Sequence, residues 1–237
     1  MPSKKKEIRG NLELDELHLK ELPDFLGEVD NCYGNVNLQK NQLTSLKNLP
    51  KNISGYLNVS ENKITSFESG PKYVSGKLDC SNNRISSLID MPLVSGYGSI
   101  LVPSNQLTSL NGIKLPRTVD IDSFRINVSF NQITTLQGSN LRSIAGMSSF
   151  QLQGNPIKSI EGCPPIIQSF NVSFTDLESL KGGPLYVGYL YLMGVPNFKT
   201  LDGFPQRADV LYVDRNFAFN DDDIKDYCRV KDIRRTI

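Results

Sequence analysis

Few residues in this sequence are of a type that carries out acid–base chemistry. The single histidine, His18, lies close to the acidic residues Glu16 and Glu21. A histidine acts as a general base when a hydroxyl or thiol nucleophile lies within hydrogen-bond reach, and no serine or cysteine is near His18 in the sequence. We therefore expect His18 to be a solvated surface residue outside any catalytic site.

Cysteine thiols could act as nucleophiles or metal ligands, but their spacing favours neither role. The four cysteines lie far apart and form no CxxC pair: Cys32, Cys80, Cys163 and Cys228. Cysteines spaced in this way are typical of free thiols in a reducing compartment. Cys80 also takes an inward position in the repeat described below, so we expect it in the core.

A metal site could be proposed at the acidic triplet 221–223, but no other carboxylates share its spacing. The sequence also contains no nucleotide-binding P-loop, no HExxH zinc motif and no nucleophile elbow. We predict that the chain is not an enzyme and that it holds neither a metal ion nor a cofactor.

The composition excludes further classes of partner. The 237 residues carry 26 lysines and arginines against 25 acids, for a formal net charge of +1. A nucleic-acid-binding protein usually has a strong basic excess. No stretch approaches the roughly 20 apolar residues that cross a bilayer, and no apolar run follows the basic N-terminus as it would in a signal peptide. We therefore expect a cytoplasmic protein that binds neither nucleic acid nor a membrane.

A sequence repeat organises most of the chain. A six-residue pattern of the form Asn-x-Leu-Thr-Ser-Leu recurs at 41–46, 62–67, 83–88, 105–110, 131–136 and 155–160. An apolar-x-apolar pair precedes each asparagine, as Leu57 and Val59 precede Asn62. The same frame extends in both directions with other residues in place of asparagine, which gives ten coils at steps of 20 to 26 residues.

Each part of the repeat predicts a local structure. The apolar-x-apolar pair is typical of a short strand with alternate residues facing the core, and stacked coils pair such strands into a parallel sheet. An asparagine at the strand end can bond backbone groups that would otherwise lack partners. Prolines in the return segments, such as Pro50 and Pro71, favour an extended convex side over helices.

These features resemble the short, proline-containing leucine-rich repeats of bacterial secreted effectors and of proteins from large tailed phages. The resemblance covers about residues 10–219. It implies an α/β-type solenoid that is predominantly β, with about ten coils in an arc, a parallel concave sheet and an extended convex side. For an effector or phage protein, the cytoplasm would be that of the host. Four Asn-x-Ser sequences, at Asn52, Asn58, Asn127 and Asn171, are interpreted as by-products of the repeat and not as glycosylation sites.

Two terminal segments flank the repeats. Residues 1–9 are predicted to form a basic tail whose lysines protect an exposed sheet edge. Residues 220–237 are predicted to cover the other end. There Asn220 is a typical N-cap, acids follow it, and apolar residues recur at helical spacing, which predicts a capping helix over 221–235.

The concave sheet is where repeats of this kind usually present their binding residues. Most of its outward positions carry small polar residues, which could be solvated filler. Tyrosine and methionine cluster near the C-terminal end, and such residues are enriched in protein interfaces. Tyr191 and Tyr212 occupy adjacent coils, so we expect them side by side. The predicted partner-binding set is Tyr189, Tyr191, Met193, Tyr212, Tyr56, Leu101 and Arg125. The alternative is that the capping segment folds over the tyrosines.

Three functions are compatible with this sequence. The favoured one is a non-catalytic scaffold that binds a partner protein through its concave face, as a bacterial or phage protein that occupies or inhibits a host protein. The second is a structural role in which the thinly capped N-terminal edge pairs with another copy. The third is recognition of a glycan or of ice by the threonine ladder Thr44, Thr65, Thr108 and Thr134.

Overall fold

A computed structural model of the protein describes residues 6–236, which fall into two compact units. The first unit runs to Leu107 and includes Asn111–Arg117, and the second holds Thr108–Leu110 and the chain from Thr118 onward. Each unit is a stack of repeats, and the two are described separately.

The first unit contains two sets of short parallel strands. Its strands are β1 Lys6–Ile8, β2 Leu12–Glu13, β3 Val29–Cys32, β4 Val36–Asn37, β5 Asn52–Ile53, β6 Leu57–Asn58, β7 Tyr73–Val74, β8 Lys77–Asp79, β9 Leu93–Val94 and β10 Ser99–Leu101. One sheet has the order β1-β3-β5-β7-β9, and the other set follows as β2-β4-β6-β8-β10. Each coil therefore contributes one strand to each sheet.

A column of glycines separates the two strands of each coil in this unit. A Cβ atom on Gly34 would lie 2.3 Å from the carbonyl oxygen of Gly10, and one on Gly98 would lie 2.4 Å from that of Gly76. The backbone N–H of Gly76 donates to the carbonyl of Gly55 at 2.9 Å. Only a residue without a side chain permits this approach between neighbouring coils.

From β12 onward, the second unit merges the two strands of each coil into one longer strand. Its strands are β11 Arg125–Asn127, β12 Met147–Gln151, β13 Ile166–Asn171, β14 Tyr186–Leu192, β15 Arg207–Asp214 and β16 Arg229–Thr236. Neighbours in this order pair in parallel. The buried residues Ile167 and Phe170 are three positions apart, whereas their counterparts Ile53 and Leu57 are four apart. With one residue fewer, the second unit has no bend between the two strands.

The buried asparagines confirm the role predicted for them. The side-chain nitrogen of Asn62 donates to the carbonyl oxygens of Leu38, at 2.9 Å, and Val59, at 3.1 Å. Its side-chain oxygen accepts from the backbone N–H of Leu43 at 2.9 Å. Each such asparagine thus joins its own coil to the preceding one and satisfies polar groups at the edge of the core.

The C-terminal helix is confirmed, but it is shorter than predicted. Helix α1 spans Asp221–Tyr227, and Asn220 caps it by accepting from two backbone N–H groups at 2.9 Å. The predicted helical stretch to 235 is wrong, because 229–236 forms β16 instead. Val230 and Ile233 pair with the inward residues of β15. A spacing of three positions fits a helix, but it also matches the inward residues of the strands in this unit. Strand β16 therefore adds one repeat to the ten that were predicted.

The N-terminal residues differ in part from the predicted tail. Lys6–Ile8 form β1, which pairs in parallel with β3, and Lys6 forms an ion pair with Glu28. Lys4 and Lys5 lie outside the described residues, so the edge-protecting role of these two lysines stays a prediction.

Candidate protein-binding surface

One solvent-facing row of the second unit brings the predicted aromatic residues together. The parallel register places Tyr191 opposite Tyr212, and Tyr212 opposite Arg234. We call the row that contains them the middle row; from β11 to β16 it consists of Asn127, Gln151, Asn171, Tyr191, Tyr212 and Arg234. The tyrosine cluster is defined as Tyr189, Tyr191, Met193 and Tyr212.

The two central tyrosines lie side by side, as the repeat spacing predicted, and their rings also stack face to face. The ring centroids of Tyr191 and Tyr212 are 4.6 Å apart and the ring planes differ by 7°. Arg234 covers the other face of Tyr212, with its Cζ atom 5.4 Å from the ring centroid. Its Nη1 atom donates to the Tyr212 hydroxyl at 3.0 Å, and its Nε atom donates to Asp232 at 2.7 Å. Tyr212 is therefore held between an aromatic ring and a guanidinium.

The C-terminal segment borders the tyrosine cluster and leaves it open to solvent. Strand β16 extends the sheet beside β15, and Thr236 donates a hydrogen bond to the Met193 sulfur at 3.2 Å. The side chain of Tyr189 remains 48% exposed, and Tyr191 and Tyr212 are half-buried. The alternative in which the capping segment covers these residues therefore holds only in part: Arg234 covers one face of Tyr212, and Tyr189 stays exposed.

The tyrosines occupy a repeat position at which asparagine, where it is present, serves the backbone. The side-chain oxygens of Asn58, Asn127 and Asn171 each accept from the backbone N–H two residues further on, at 3.0 to 3.1 Å. These bonds form Asx turns and account for three of the Asn-x-Ser sequences. Tyrosine cannot form this turn. The backbone N–H of Met193 instead donates to the Ser173 hydroxyl at 3.2 Å.

Charges near the tyrosine cluster are few and largely paired. Asp232 forms an ion pair with Arg234 at 2.7 Å, and Asp214 accepts from the backbone N–H of Gly194 at 2.7 Å. Burial, followed by the nearby Tyr212, raises the pKa of Tyr191 above its ordinary value. The phenol of Tyr191 is therefore neutral at physiological pH, and the cluster presents neutral aromatic rings edged by ionic groups.

The other predicted partner-binding residues lie elsewhere. Arg125 is exposed and starts the row that reaches Tyr189 through Ser149 and Ser169. Among residues 6–236, no ion pair of Arg125 was found. Tyr56 and Leu101 belong to the first unit and are half-buried. The structure thus brings four of the seven residues together, with Arg125 on the same face.

Sequence reasoning missed two exposed phenylalanines at strand ends of the second unit. Phe130 and Phe174 are 57% and 63% exposed and have φ angles of 54° and 56°. Their rings lie against the neighbouring coil, where a Cβ atom on Gly154 or Gly194 would lie 2.6 or 2.4 Å from a ring carbon. Left-handed backbone is unusual for such a bulky residue. The sequence did contain a signal for them. The residue before the Asn-equivalent position alternates between phenylalanine and glycine in successive coils, as Phe130, Gly154, Phe174 and Gly194.

The structure places the cysteines first considered for catalysis in the core. All four cysteines are buried. Burial raises the pKa of Cys80 well above its ordinary value and that of Cys228 to about 11. Within the described part of the chain, no group of three or more His, Cys, Asp or Glu side chains could hold a metal ion. No helix in residues 6–236 has the length and apolar character needed to span a bilayer.

Comparison with known proteins shows what the chain is similar to. No protein-family model matches the sequence, and no curated protein matches it either. A solved structure, YopM from Yersinia enterocolitica WA-314, superimposes with a TM-score of 0.53 at 20% sequence identity. The match covers 95% of this chain and 57% of the YopM chain, so this chain spans little more than half of YopM. Together with the repeats, this likeness shows that the fold is a leucine-rich repeat fold.

Proposed function

We propose that this leucine-rich repeat protein is a non-catalytic scaffold that binds a partner protein through its concave face, with the tyrosine cluster at the centre of the interface. The observation that carries the proposal is the replacement of asparagine by tyrosine in the middle row. At Asn127 and Asn171 the side chain stabilises its own turn, whereas Tyr191 and Tyr212 give up that bond and present aromatic surface to solvent. A partner protein would use that surface.

Aromatic residues are suited to this purpose because they offer a large apolar area at little cost in conformational entropy. Tyr191 and Tyr212 already support each other by stacking, and Arg234 fixes Tyr212 from the other side. Preorganised side chains lose less entropy on binding. Residues of this type are typical hot spots, whose truncation costs about 2 kcal/mol or more.

We also propose that the protein is of bacterial or phage origin and that it binds or inhibits a host protein. The short, proline-containing coils support this origin, as does the likeness to a structure from the bacterium Yersinia enterocolitica. The protein would then act in the cytoplasm, and in the host cytoplasm if it is an effector or a phage protein.

A comparative pull-down from bacterial lysate, read by mass spectrometry, tests the binding function. The test variant carries Tyr189→Ala, Tyr191→Ala and Tyr212→Ala. The control carries Tyr33→Ala and Tyr97→Ala, which remove two exposed tyrosines of the first unit. We expect one stoichiometric partner with the wild type and the control, and at least a tenfold loss with the test variant. Equal recovery by all three proteins would refute the role of the cluster.

The structural alternative has its own supporting observation in the first unit. Leu17 is 55% exposed, and Leu12, Leu14 and Leu19 are only half-buried, so the first coil leaves core positions open to another copy. Light scattering over a range of concentrations tests this alternative. A mass of two chains that returns to one in Leu17→Glu would favour pairing, and a constant mass of one chain would exclude it.

A further inference from the structure

Tyr191 is the end of the aromatic stack, and only one of its ring faces is covered. Tyr212 has Tyr191 on one face and Arg234 on the other. In residues 6–236, the ring of Tyr191 has no stacking partner other than Tyr212 and no cation over it. Its second face is directed along the middle row toward Asn171, which pairs with it in the register.

Beside that open face lies Asn171, a polar residue whose side chain does not rise over the Tyr191 ring. The side chain of Asn171 turns back to its own strand end, where its oxygen accepts from the Ser173 backbone at 3.0 Å. On the next strand, Gln151 donates to the Ser149 hydroxyl at 2.8 Å. Neither side chain stacks on Tyr191. Because strands are about 4.8 Å apart, the space above Asn171 fits one flat group that stacks on the ring of Tyr191.

Charge favours a cation in this space. Asp214 is the acidic group nearest the cluster that has no ion pair among residues 6–236, because Asp232 pairs with Arg234. The group of Asp209, Lys231 and Arg207 carries one net positive charge, but it lies beyond Tyr189, at Tyr186. Arg125 lies three strands from Tyr189, about 14 Å away, where salt largely screens it. The face of a tyrosine ring is itself electronegative and attracts cations.

The molecule already shows which cation the stack accepts. Arg234 lies over Tyr212 with its Cζ atom 5.4 Å from the ring centroid. A guanidinium is planar and weakly hydrated, so it stacks on an aromatic face better than the compact, strongly hydrated ammonium of lysine. The open face of Tyr191 is the equivalent surface at the other end of the stack.

We propose that the open face of Tyr191 receives the guanidinium of an arginine side chain from the partner protein. This inference rests on the proposed function and specifies the chemistry of the partner at the same site. The bound arginine would stack on Tyr191 above Asn171 and form a four-membered stack of guanidinium, Tyr191, Tyr212 and Arg234.

Titration with short peptides tests this inference without the natural partner. The probes are acetyl-Gly-Arg-Gly-amide and its lysine counterpart, and the readout is the chemical shift of the tyrosine ring protons in NMR spectra. We expect the arginine peptide to shift the Tyr191 resonances with a dissociation constant about threefold lower than that of the lysine peptide, as a modest cation–π preference implies. Tyr191→Phe keeps the ring face and should keep this preference, whereas Tyr191→Leu should abolish it.

Tyr97→Leu is the matched control, because Tyr97 is 79% exposed in the first unit, and it should leave the titration unchanged. Arg234→Ala frees the second face of Tyr212 and should add a second arginine site there.

Equal affinity for the two peptides, no binding of either, or an unchanged preference in Tyr191→Leu would overturn the inference. A partner lost in the triple-tyrosine pull-down would still support the proposed function after such a result. If the peptide titration shows arginine selectivity but the pull-down captures no partner, the proposed function is contradicted and the arginine site is not.

Discussion

The side-chain amide of Asn62 lies 2.9 Å from the carbonyl oxygen of Leu38, which belongs to the preceding coil. The same amide group accepts from the backbone N–H of Leu43 through its oxygen. Both backbone groups are buried. The carbonyl of Leu38 also accepts from the side chain of Asn41 at 3.0 Å, whereas the N–H of Leu43 would lack a partner without Asn62. In the coils that carry it, this asparagine thus supplies hydrogen bonds that strand pairing does not reach.

Replacing Asn62 with alanine should therefore destabilise the protein strongly. The change leaves the N–H of Leu43 without a partner, while the carbonyl of Leu38 keeps its bond from Asn41. A buried unsatisfied group costs about 1 to 3 kcal/mol. We expect the free energy of unfolding to fall by about 2 kcal/mol in urea denaturation followed by circular dichroism. The exposed neighbour Lys63→Ala is the control and should change it by less than about 0.5 kcal/mol. Similar losses for both variants would contradict the bridging role.

The glycine column makes a second prediction about stability. A Cβ atom on Gly98 would lie 2.4 Å from the backbone oxygen of Gly76, so Gly98→Ala forces two coils apart. Overpacking of this kind costs about 1 to 3 kcal/mol. Gly27→Ala is the control, because its Cβ would meet only the side chain of Asn48 at distances under 3.4 Å. Thermal unfolding should show a lower Tm for Gly98→Ala than for Gly27→Ala, and equal Tm values would contradict the requirement for glycine.

The repeat made most of the fold predictable because each coil restates the same physical pattern. Apolar pairs such as Leu57 and Val59 specify the inward face of a strand, and Asn62 marks the end of that strand. The C-terminal segment was harder to predict, since Val230 and Ile233 are spaced for a helix and equally for the strands of the second unit. Only pairing with the free edge of the neighbouring strand β15 makes this segment a strand.

The two central tyrosines of the candidate site were predictable from the sequence, but the residues around them were not. Tyr191 and Tyr212 occupy equivalent positions in adjacent coils, so the repeat frame alone places their rings side by side. Arg234 was assigned to a helix end, and its contact with Tyr212 follows only once β16 is known. Phe130 and Phe174 were missed because the left-handed turn that exposes them is a backbone property that the apolar pattern does not report.

A third prediction concerns the exposed Phe174 and the buried Phe170 in the same coil. Phe174 has a φ angle of 56° and is 63% exposed, so Phe174→Asn removes a modest ring contact and relieves left-handed strain, since asparagine tolerates this conformation. We expect the free energy of unfolding to change by less than about 1 kcal/mol in urea denaturation. Phe170→Ala should lower it by about 3 to 5 kcal/mol, as is typical for core phenylalanine. A loss above about 2 kcal/mol in Phe174→Asn would show that the ring is structural.

The last prediction is the pH dependence of an ion-pair cluster in the second unit. Asp209 lies 2.7 Å from Lys231, accepts from the hydroxyl of Tyr186 at 2.7 Å and lies 3.3 Å from Arg207. Hydrogen bonds from Lys231 and then Tyr186 lower the pKa of Asp209 from 3.8 to about 2. A carboxyl whose pKa is depressed in the folded state stabilises the fold above its unfolded pKa and loses that contribution as pH falls. Asp209→Asn should therefore lower the urea midpoint at pH 7, and the difference from wild type should shrink between about pH 4 and pH 2. Asp202→Asn, which changes an exposed carboxylate of the same unit, should show no such convergence, and a constant difference for Asp209→Asn across this range would contradict the linkage.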